Sequence, residues 1–494
     1  MSHAPAAGPS HREEADRPLL VVLVLAFSSL CAALMQSLVI PIQAQLPELL
    51  HTSASNASWV VTATLLGGGV AMPVAGRLAD IFGKKPVMVA SAVVLLAGSL
   101  LCAVAGGFQL VLVGRVLQGA AMGYIPVAIS LVREVTPPRM TNTALSAVSA
   151  TLGVGGALGL PLSAWIVEVA DWRALFWVAV GLAAVVIAIS ATLLPQGRSE
   201  RRARVDLVGA IGLAIGVVAT LVGVTKGNEW GWTSPLTLGL IAGGLVVLVV
   251  WGLYEVRHPA PLVDLRTTAR LPVLFTNLAA LMFGFGMMAQ SIVVPQLMQM
   301  PEQTGYGLGQ TIMETGLWMA PAGTMMLVFS PVSSAMLTRF GGRATLAIAG
   351  VVLAGGYLFA VFMTETPWQL MLATCIASAG VGIGYAAMPA LILDNVPRGE
   401  ASSSVGVNAL MRSMGTTTAG AVMAVVLTSR TTRLGAGGPV IPDHSAFQLC
   451  FVLGAVAALV AVALTLLIPR RRRSEPAQIR ERVDGAGVPV AGDG

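Results

Sequence analysis

Charge is what this chain has least of. Of its 494 residues only 11% are Asp, Glu, Lys or Arg, while 55% are hydrophobic. A domain folded in water carries about 25% charge. This chain therefore cannot cover a globule with polar surface, and the several soluble domains that its length would suggest are excluded. Aromatics are sparse at 5%; the enrichment falls on Gly, Ala, Val, Leu and Met, and small residues let helices approach closely in lipid. There are only four cysteines, Cys31, Cys102, Cys375 and Cys450, each inside an apolar run. They lack CxxC spacing, which predicts buried, inert thiols rather than a disulfide framework or metal site. His3, His11, His51, His258 and His444 fall in expected tails or loops, which argues against an intramembrane metal. No G-x-x-x-x-G-K-[ST] run is present, so ATP is not the expected energy source, and no catalytic constellation points to an enzyme. The net charge of +6 admits a nucleic-acid partner, but the placement of the basic residues has a simpler explanation in membrane topology.

What the chain does have is long apolar runs. A helix needs about 20 apolar residues to cross a bilayer. Fourteen such runs can be read, near Leu19–Ile40, Ser58–Ala75, Pro86–Gly106, Leu110–Val132, Thr143–Val167, Ala174–Leu194, Val205–Val224, Thr233–Tyr254, Leu271–Val294, Thr311–Leu337, Ala344–Phe362, Trp368–Leu393, Ser404–Thr428 and Phe447–Ile468. With a cytoplasmic N-terminus, alternate loops carry Arg77, Lys84 and Lys85; Arg133 and Arg139; Arg198, Arg201, Arg202 and Arg204; Arg257, Arg266 and Arg270; Arg339 and Arg343; and Arg398. The C-terminal tail adds Arg470 to Arg473 on that side, and the opposite loops carry only Arg173, Lys226, Arg430 and Arg433. This is the positive-inside pattern. It predicts an even span count with both termini cytoplasmic, and the bilayer replaces nucleic acid as the expected partner.

The ten residues Gly76 to Lys85, "GRLADIFGKK", concentrate four charges between the second and third runs. "RLADIFGKK" is echoed by "AMLTRFGGR", Ala335 to Arg343, with Phe82-Gly83 matching Phe340-Gly341, Lys85 matching Arg343 and Thr338 replacing Asp80. Likewise "GAAMGYIPVAISLVREV", Gly119 to Val135, is echoed by "GVGIGYAAMPALILDNV", Gly380 to Val396. Repeated halves are a mark of transporter architecture. The expected division is a cytoplasmic tail over 1–18, a six-helix bundle over 19–196, a linker with two extra helices over 197–256, a second six-helix bundle over 257–469, and a basic tail over 470–494.

The loop Gly76, Leu78, Asp80, Gly83, Lys84 and Lys85 resembles the G-x-L-a-D-r-x-G-r-k signature of the major facilitator superfamily. Fourteen spans resemble its drug:proton antiporter branch of multidrug and antibiotic exporters. "RVLQGAAMG", Arg115 to Gly123, resembles the R-x-x-q-G pattern of span four, and "GYGLGQTIMETGLWMAPAGTMM", Gly305 to Met326, a span-nine-to-ten stretch of that branch. The resemblance implies an all-α membrane fold of two six-helix bundles plus two extra helices between them. It further implies alternating access, a proton gradient in place of any cofactor, and an inner latch formed by Gly76, Arg77, Asp80, Gly83, Lys84 and Lys85. Two departures matter. In span one Met35 stands where the branch often has Asp, with Gln36 beside it, and neither carries a proton. In span five Gly155 and Gly159 remain from the antiporter signature, Pro161 is displaced, and Ser163-Ala164 replace a glycine pair, leaving a plausible helix bend.

The expected function is export of amphipathic drugs or metabolites by a monomeric secondary transporter of the plasma membrane. A facilitator or uptake symporter on the same fold, and a membrane receptor without flux, remain alternatives. Arg115 lies inside an apolar run, where charge costs several kcal/mol unless paired or hydrated. It either serves the cavity together with Gln118, Gly119 and Gln36 or bonds to carbonyls near its helix end. Glu314 is the late acid worth testing for coupling. Asn277, Gln290, Met287 and Met288 are candidates to line the substrate cavity, with helix–helix bonding and lipid-facing filler as the alternatives.

Overall fold

The computed structural model describes residues 17–39, 42, 45–196, 205–433 and 440–469. Nearly all of the tail 1–18, the whole tail 470–494 and the arginines at 198, 201, 202 and 204 lie outside the described residues. Each expected apolar run is helical over most of its described residues, as lipid demands of a backbone that must bond internally. The helices are α1 (Pro18–Ser37), α2 (Leu46–Leu49), α3 (Ala54–Phe82), α4 (Lys84–Ala103), α5 (Phe108–Ala120), α6 (Tyr124–Val135), α7 (Pro138–Val169), α8 (Arg173–Leu193), α9 (Leu207–Trp230) and α10 (Pro235–Arg257). They continue with α11 (Leu265–Thr268), α12 (Leu271–Gln299), α13 (Ile312–Val328), α14 (Ser330–Phe362), α15 (Pro367–Asn395), α16 (Ala401–Ser429) and α17 (His444–Leu466). A 3-10 turn, Ala121–Gly123, joins α5 to α6, and a two-stranded antiparallel ribbon, Thr431–Arg433 with Val440–Pro442, precedes α17.

Among the described residues, 12 helical windows are long and apolar enough to cross a membrane. One of them, Ile312–Phe362, covers 51 residues and contains two of the expected runs, because α14 breaks at Gly341. The fifth expected run lies in α7, a single helix of 32 residues that passes through Gly155 and Gly159 without interruption. Helix starts are set by local chemistry: Ser53, Asp206, Ser234 and Asp443 each accept from the backbone N–H three residues on, satisfying groups that have no partner within the helix.

The internal repeat is written in the backbone. Gly83 adopts φ 94° and ψ 154°, and Gly341 adopts φ 77° and ψ 169°. Both follow a Phe, and both reverse the chain between two spans with a torsion that side-chain-bearing residues avoid. The basic residue two positions later finds the same target in each half. Lys85 Nζ donates to Leu194 O at 2.7 Å, just past α8. Arg343 Nη2 donates to Leu466 O at 2.6 Å, at the end of α17. Space around Gly341 is open, so Gly341→Ala is expected to cost only the torsional penalty, about 1–3 kcal/mol; a lowered thermal-unfolding midpoint of the detergent-solubilised protein measures it.

The halves meet along two seams: α3 lies against α16, and α7 against α13, α14 and α15. The pair α9–α10 packs mainly on itself, with α9 also touching α16 and α3, so the extra helices flank one seam. α10 faces outward, with Val246, Val249 and Val250 exposed by 62%, 64% and 60%; such a stripe suits lipid rather than water. α15 is the opposite case, buried continuously from Ala377 to Leu393.

Candidate functional site

The Gly76–Lys85 stretch sits where the halves touch. Asp80 is buried in the last turn of α3. Its Oδ1 accepts from Ser402 N–H at 3.0 Å and its Oδ2 from Ser403 N–H at 2.9 Å. Those donors belong to the first turn of α16, which has no internal acceptors for them and carries the positive end of the helix dipole. A carboxylate of the first half thus caps a helix of the second. Gly76 permits the approach: a Cβ there would stand 2.7 Å from the Ser402 carbonyl carbon and 2.8 Å from Ser403 Cα. Ser402 Oγ also donates to Ser130 Oγ of α6 at 2.9 Å.

The second seam repeats the arrangement with neutral groups. Thr338, the counterpart of Asp80, accepts from Asn142 Nδ2 of α7 at 3.1 Å, and the Thr143 and Ser334 hydroxyls pair at 2.8 Å. Arg133 Nη2 faces Asp394 Oδ1 at 3.8 Å, so the polar pairs ending the two echoed segments meet each other. All these contacts lie at the end that carries the basic loops, and that end is closed. Lys84 reinforces it within the first half through an ion pair with Glu134. Arg77 is buried beside them, its Nε without a hydrogen-bond acceptor among the described residues.

Deeper in the first half, Arg115 is 1% exposed. Its Nε donates to Val60 O at 3.0 Å and its Nη1 to Gln118 Oε1 at 2.7 Å. Gln118 passes the chain on to Ser99 Oγ at 2.9 Å. Gly119 lets α5 press on α3, a Cβ there standing 3.0 Å from Gly68 N. Gly155 does the same for α7 on α1, with a Cβ 2.7 Å from that of Ala33. A cavity of about 10 Å³, room for roughly one water, is lined by Met35, Gln118 and Met122 among others. Gln36 lies in α1 and Pro161 in α7, but their side chains are outside the described residues.

The other expected cavity residues separate. Gln290 is tied to α15 through Nε2 to Ser378 Oγ at 3.2 Å, and Asn277 Oδ1 accepts from Asn408 Nδ2 of α16 at 3.0 Å; both bond neighbouring helices. Met288 is partly buried against the core. Met287 Sδ accepts from Tyr385 OH at 2.9 Å, and the face of Tyr385 carries the Arg412 guanidinium at 4.5 Å. Two expectations are corrected. Glu314 is not in a cavity: it is exposed at the start of α13, its carboxylate accepting from Thr311 N at 2.9 Å as half of a capping box, a role readable from the T-x-x-E pattern. Lys226 is not in a loop: α9 runs on to Trp230, and Lys226 is 2% exposed. Its Nζ bonds Ser58 Oγ at 2.5 Å and Glu229 Oε2 at 2.7 Å and lies over the Trp59 ring at 4.9 Å, pinning α9 to α3.

Arg412 was not foreseen, although "NALMRSMG" places an Arg in an apolar run and carries the same signal as Arg115. Among the described residues, no group of three or more His, Cys, Asp or Glu has a metal-holding arrangement.

An all-α membrane protein of two related halves, closed on each other at one end, has the architecture of a transporter. The Major Facilitator Superfamily profile matches residues 25–420 and 278–491, and the chain belongs to that family. It is similar to the tetracenomycin C resistance and export protein of Streptomyces glaucescens, 26% identical over 504 residues, covering 100% of this chain and 86% of that one. It is also similar to the probable actinorhodin transporter of Streptomyces coelicolor, 28% identical over 386 residues, covering 75% of this chain and 66% of that one. Among solved structures, the human organic anion transporter MFSD10 shares the fold, with a TM-score of 0.65 and 16% identity, covering 91% of this chain and 99% of that one.

Proposed function

We propose that this protein is a monomeric secondary exporter of amphipathic small molecules. It works by alternating access in a bacterial-type plasma membrane, with the basic end at the cytoplasmic face and inward proton movement as the energy source. The observation that carries the reading is the Asp80 cap on α16. A closure made of a few polar contacts between two halves can open and re-form without unfolding either half. The basic loops favour the assigned orientation, and the export named for the tetracenomycin relative favours the direction and the class of cargo. No bound cofactor is needed, because the gradient supplies the work.

A second reading, facilitated movement on the same fold, is favoured by one observation: Met35 lines the cavity beside Gln118, where no carboxylate takes up a proton. Dye and antibiotic accumulation in a pump-deficient host decides between the two. Expression is expected to lower accumulation of at least part of the panel, and a protonophore to restore it to the empty-vector level. Faster equilibration that leaves the final accumulation at the empty-vector level, with or without the protonophore, selects the facilitator. Absence of flux for every compound that binds rejects both and leaves a membrane receptor.

A further inference from the structure

We propose that Arg412 and Tyr385 form a subsite for an acidic group on the cargo, so that the exported molecules are amphipathic anions bearing a carboxylate, sulfonate or phenolate. The inference rests on the export reading above and narrows its substrate class.

Every Asp and Glu among the described residues lies in a loop, in a cap, or in the first or last turn of a helix. No acid stands in the body of a span. Apart from Arg77, Arg339 and Arg343 near the chain reversals at Gly83 and Gly341, two arginines do: Arg115 in Phe108–Val135 and Arg412 in α16. Arg115 is accounted for, bonded to Val60 and Gln118 and closed off from solvent. Arg412 is not. It sits about 16 Å along the axis from the start of its helix, and it remains partly exposed at that depth. Its one recorded side-chain interaction among the described residues is the face of Tyr385. A guanidinium has five N–H donors and cannot shed its charge, and at that depth a charge without partners costs several kcal/mol. A bidentate anion supplies what it lacks.

The surroundings fit such a ligand. Tyr385 is fixed through its hydroxyl to Met287 Sδ, with its ring 4.5 Å from the guanidinium carbon. Met287 offers an adaptable apolar surface for the body of an amphipathic molecule. One turn below Arg412 on α16, the Asn408–Asn277 pair leaves Asn277 Nδ2 without an acceptor among the described residues. A cationic cargo would meet repulsion with no acid to offset it.

The test uses the purified full chain in phosphatidylcholine nanodiscs and three isosteric probes: 2-naphthoate, 2-naphthamide and 2-naphthylmethylamine. Wild type is expected to bind the naphthoate about tenfold or more tighter than the amide, which is the size of one charge-assisted pair, and the amine most weakly. Arg412→Gln is expected to bring naphthoate down to the amide's affinity while leaving the amide unchanged, which also reports a folded variant. Arg412→Lys retains part of the preference. Equal affinity for the three probes in wild type, or naphthoate binding undiminished in Arg412→Gln, overturns the proposal; the wild-type ranking decides even if the variant does not fold. Displacement of naphthoate by phosphatidylglycerol in the disc would assign the site to lipid headgroups and overturn the cargo assignment. Absence of an anion preference in wild type, with export intact, rejects this inference alone. Arg412-dependent naphthoate binding without flux of any compound rejects the export reading instead.

Discussion

Gly76→Ala is expected to reduce transport about tenfold or more while leaving the protein folded and its ligand affinity within a few-fold of wild type. The added methyl would stand 2.7 Å and 2.8 Å from backbone atoms of Ser402 and Ser403, and backbone cannot rotate aside as a flexible side chain can. Separating α3 from α16 is the only relief. Overpacking of this kind costs about 1–3 kcal/mol, and here the cost falls only on the state closed at the basic end. Each 1.4 kcal/mol is a factor of ten in population. The partner helix makes the reciprocal prediction: a Cβ at Gly406 would lie 2.8 Å from Pro73 Cα, so Gly406→Ala should act in the same direction. A cysteine placed at Ser402 reads the effect directly. It should become more reactive toward a membrane-impermeant thiol reagent from the basic side in either alanine background. Unchanged reactivity together with unchanged flux would show that the two helices part by some other route.

Residues that obey a local rule were legible in the sequence, and those placed by tertiary packing were not. The echo of Phe82-Gly83 in Phe340-Gly341 was readable because a tight reversal demands glycine, and both glycines do take positive φ. That Lys85 and Arg343 would reach the ends of equivalent helices, α8 and α17, followed from no spacing. Lys226 was hidden by hydropathy. An apolar window stops near Val224, but the helix continues to Trp230 with Glu229 neutralising the buried ammonium and Ser58 accepting from it, and Ser58 is 168 residues away in sequence. Arg412 was masked by the same averaging, one charge in 29 helical residues. The seat of α9 and α10 beside the α3–α16 seam had no signal, since the extra pair has no counterpart in the repeat to copy. Asp80 was legible as a latch candidate from its motif, but the identity of its donors, two backbone N–H groups of α16, came only with the fold.

Asp80→Asn is expected to slow transport about tenfold while preserving expression and ligand binding, and the chemistry of the cap sets that size. The carboxylate accepts two N–H bonds at once, one on each oxygen, and its charge faces the positive end of α16. An asparagine offers one oxygen. Its amide nitrogen would confront the second N–H, leaving a buried donor unpaired at about 1–3 kcal/mol and losing a further ~0.3–1 kcal/mol of helix-dipole attraction. Two controls separate this from a general weakening of the seam. Ser403→Ala keeps the backbone N–H that Asp80 uses, and among the described residues Ser403 Oγ bonds only locally, to Glu400 O, so transport should stay near wild type. Thr338→Ala removes the equivalent contact on the other seam, a neutral, solvent-exposed bond to the half-buried Asn142, worth about 1 kcal/mol or less, so it should slow transport far less than Asp80→Asn. The exposed Arg133–Asp394 pair, at 3.8 Å, contributes little by the same reasoning. If Thr338→Ala matched Asp80→Asn in a counterflow assay, the charge on Asp80 would not be what holds the basic end shut, and the closure would have to be assigned to the packing of the two seams instead.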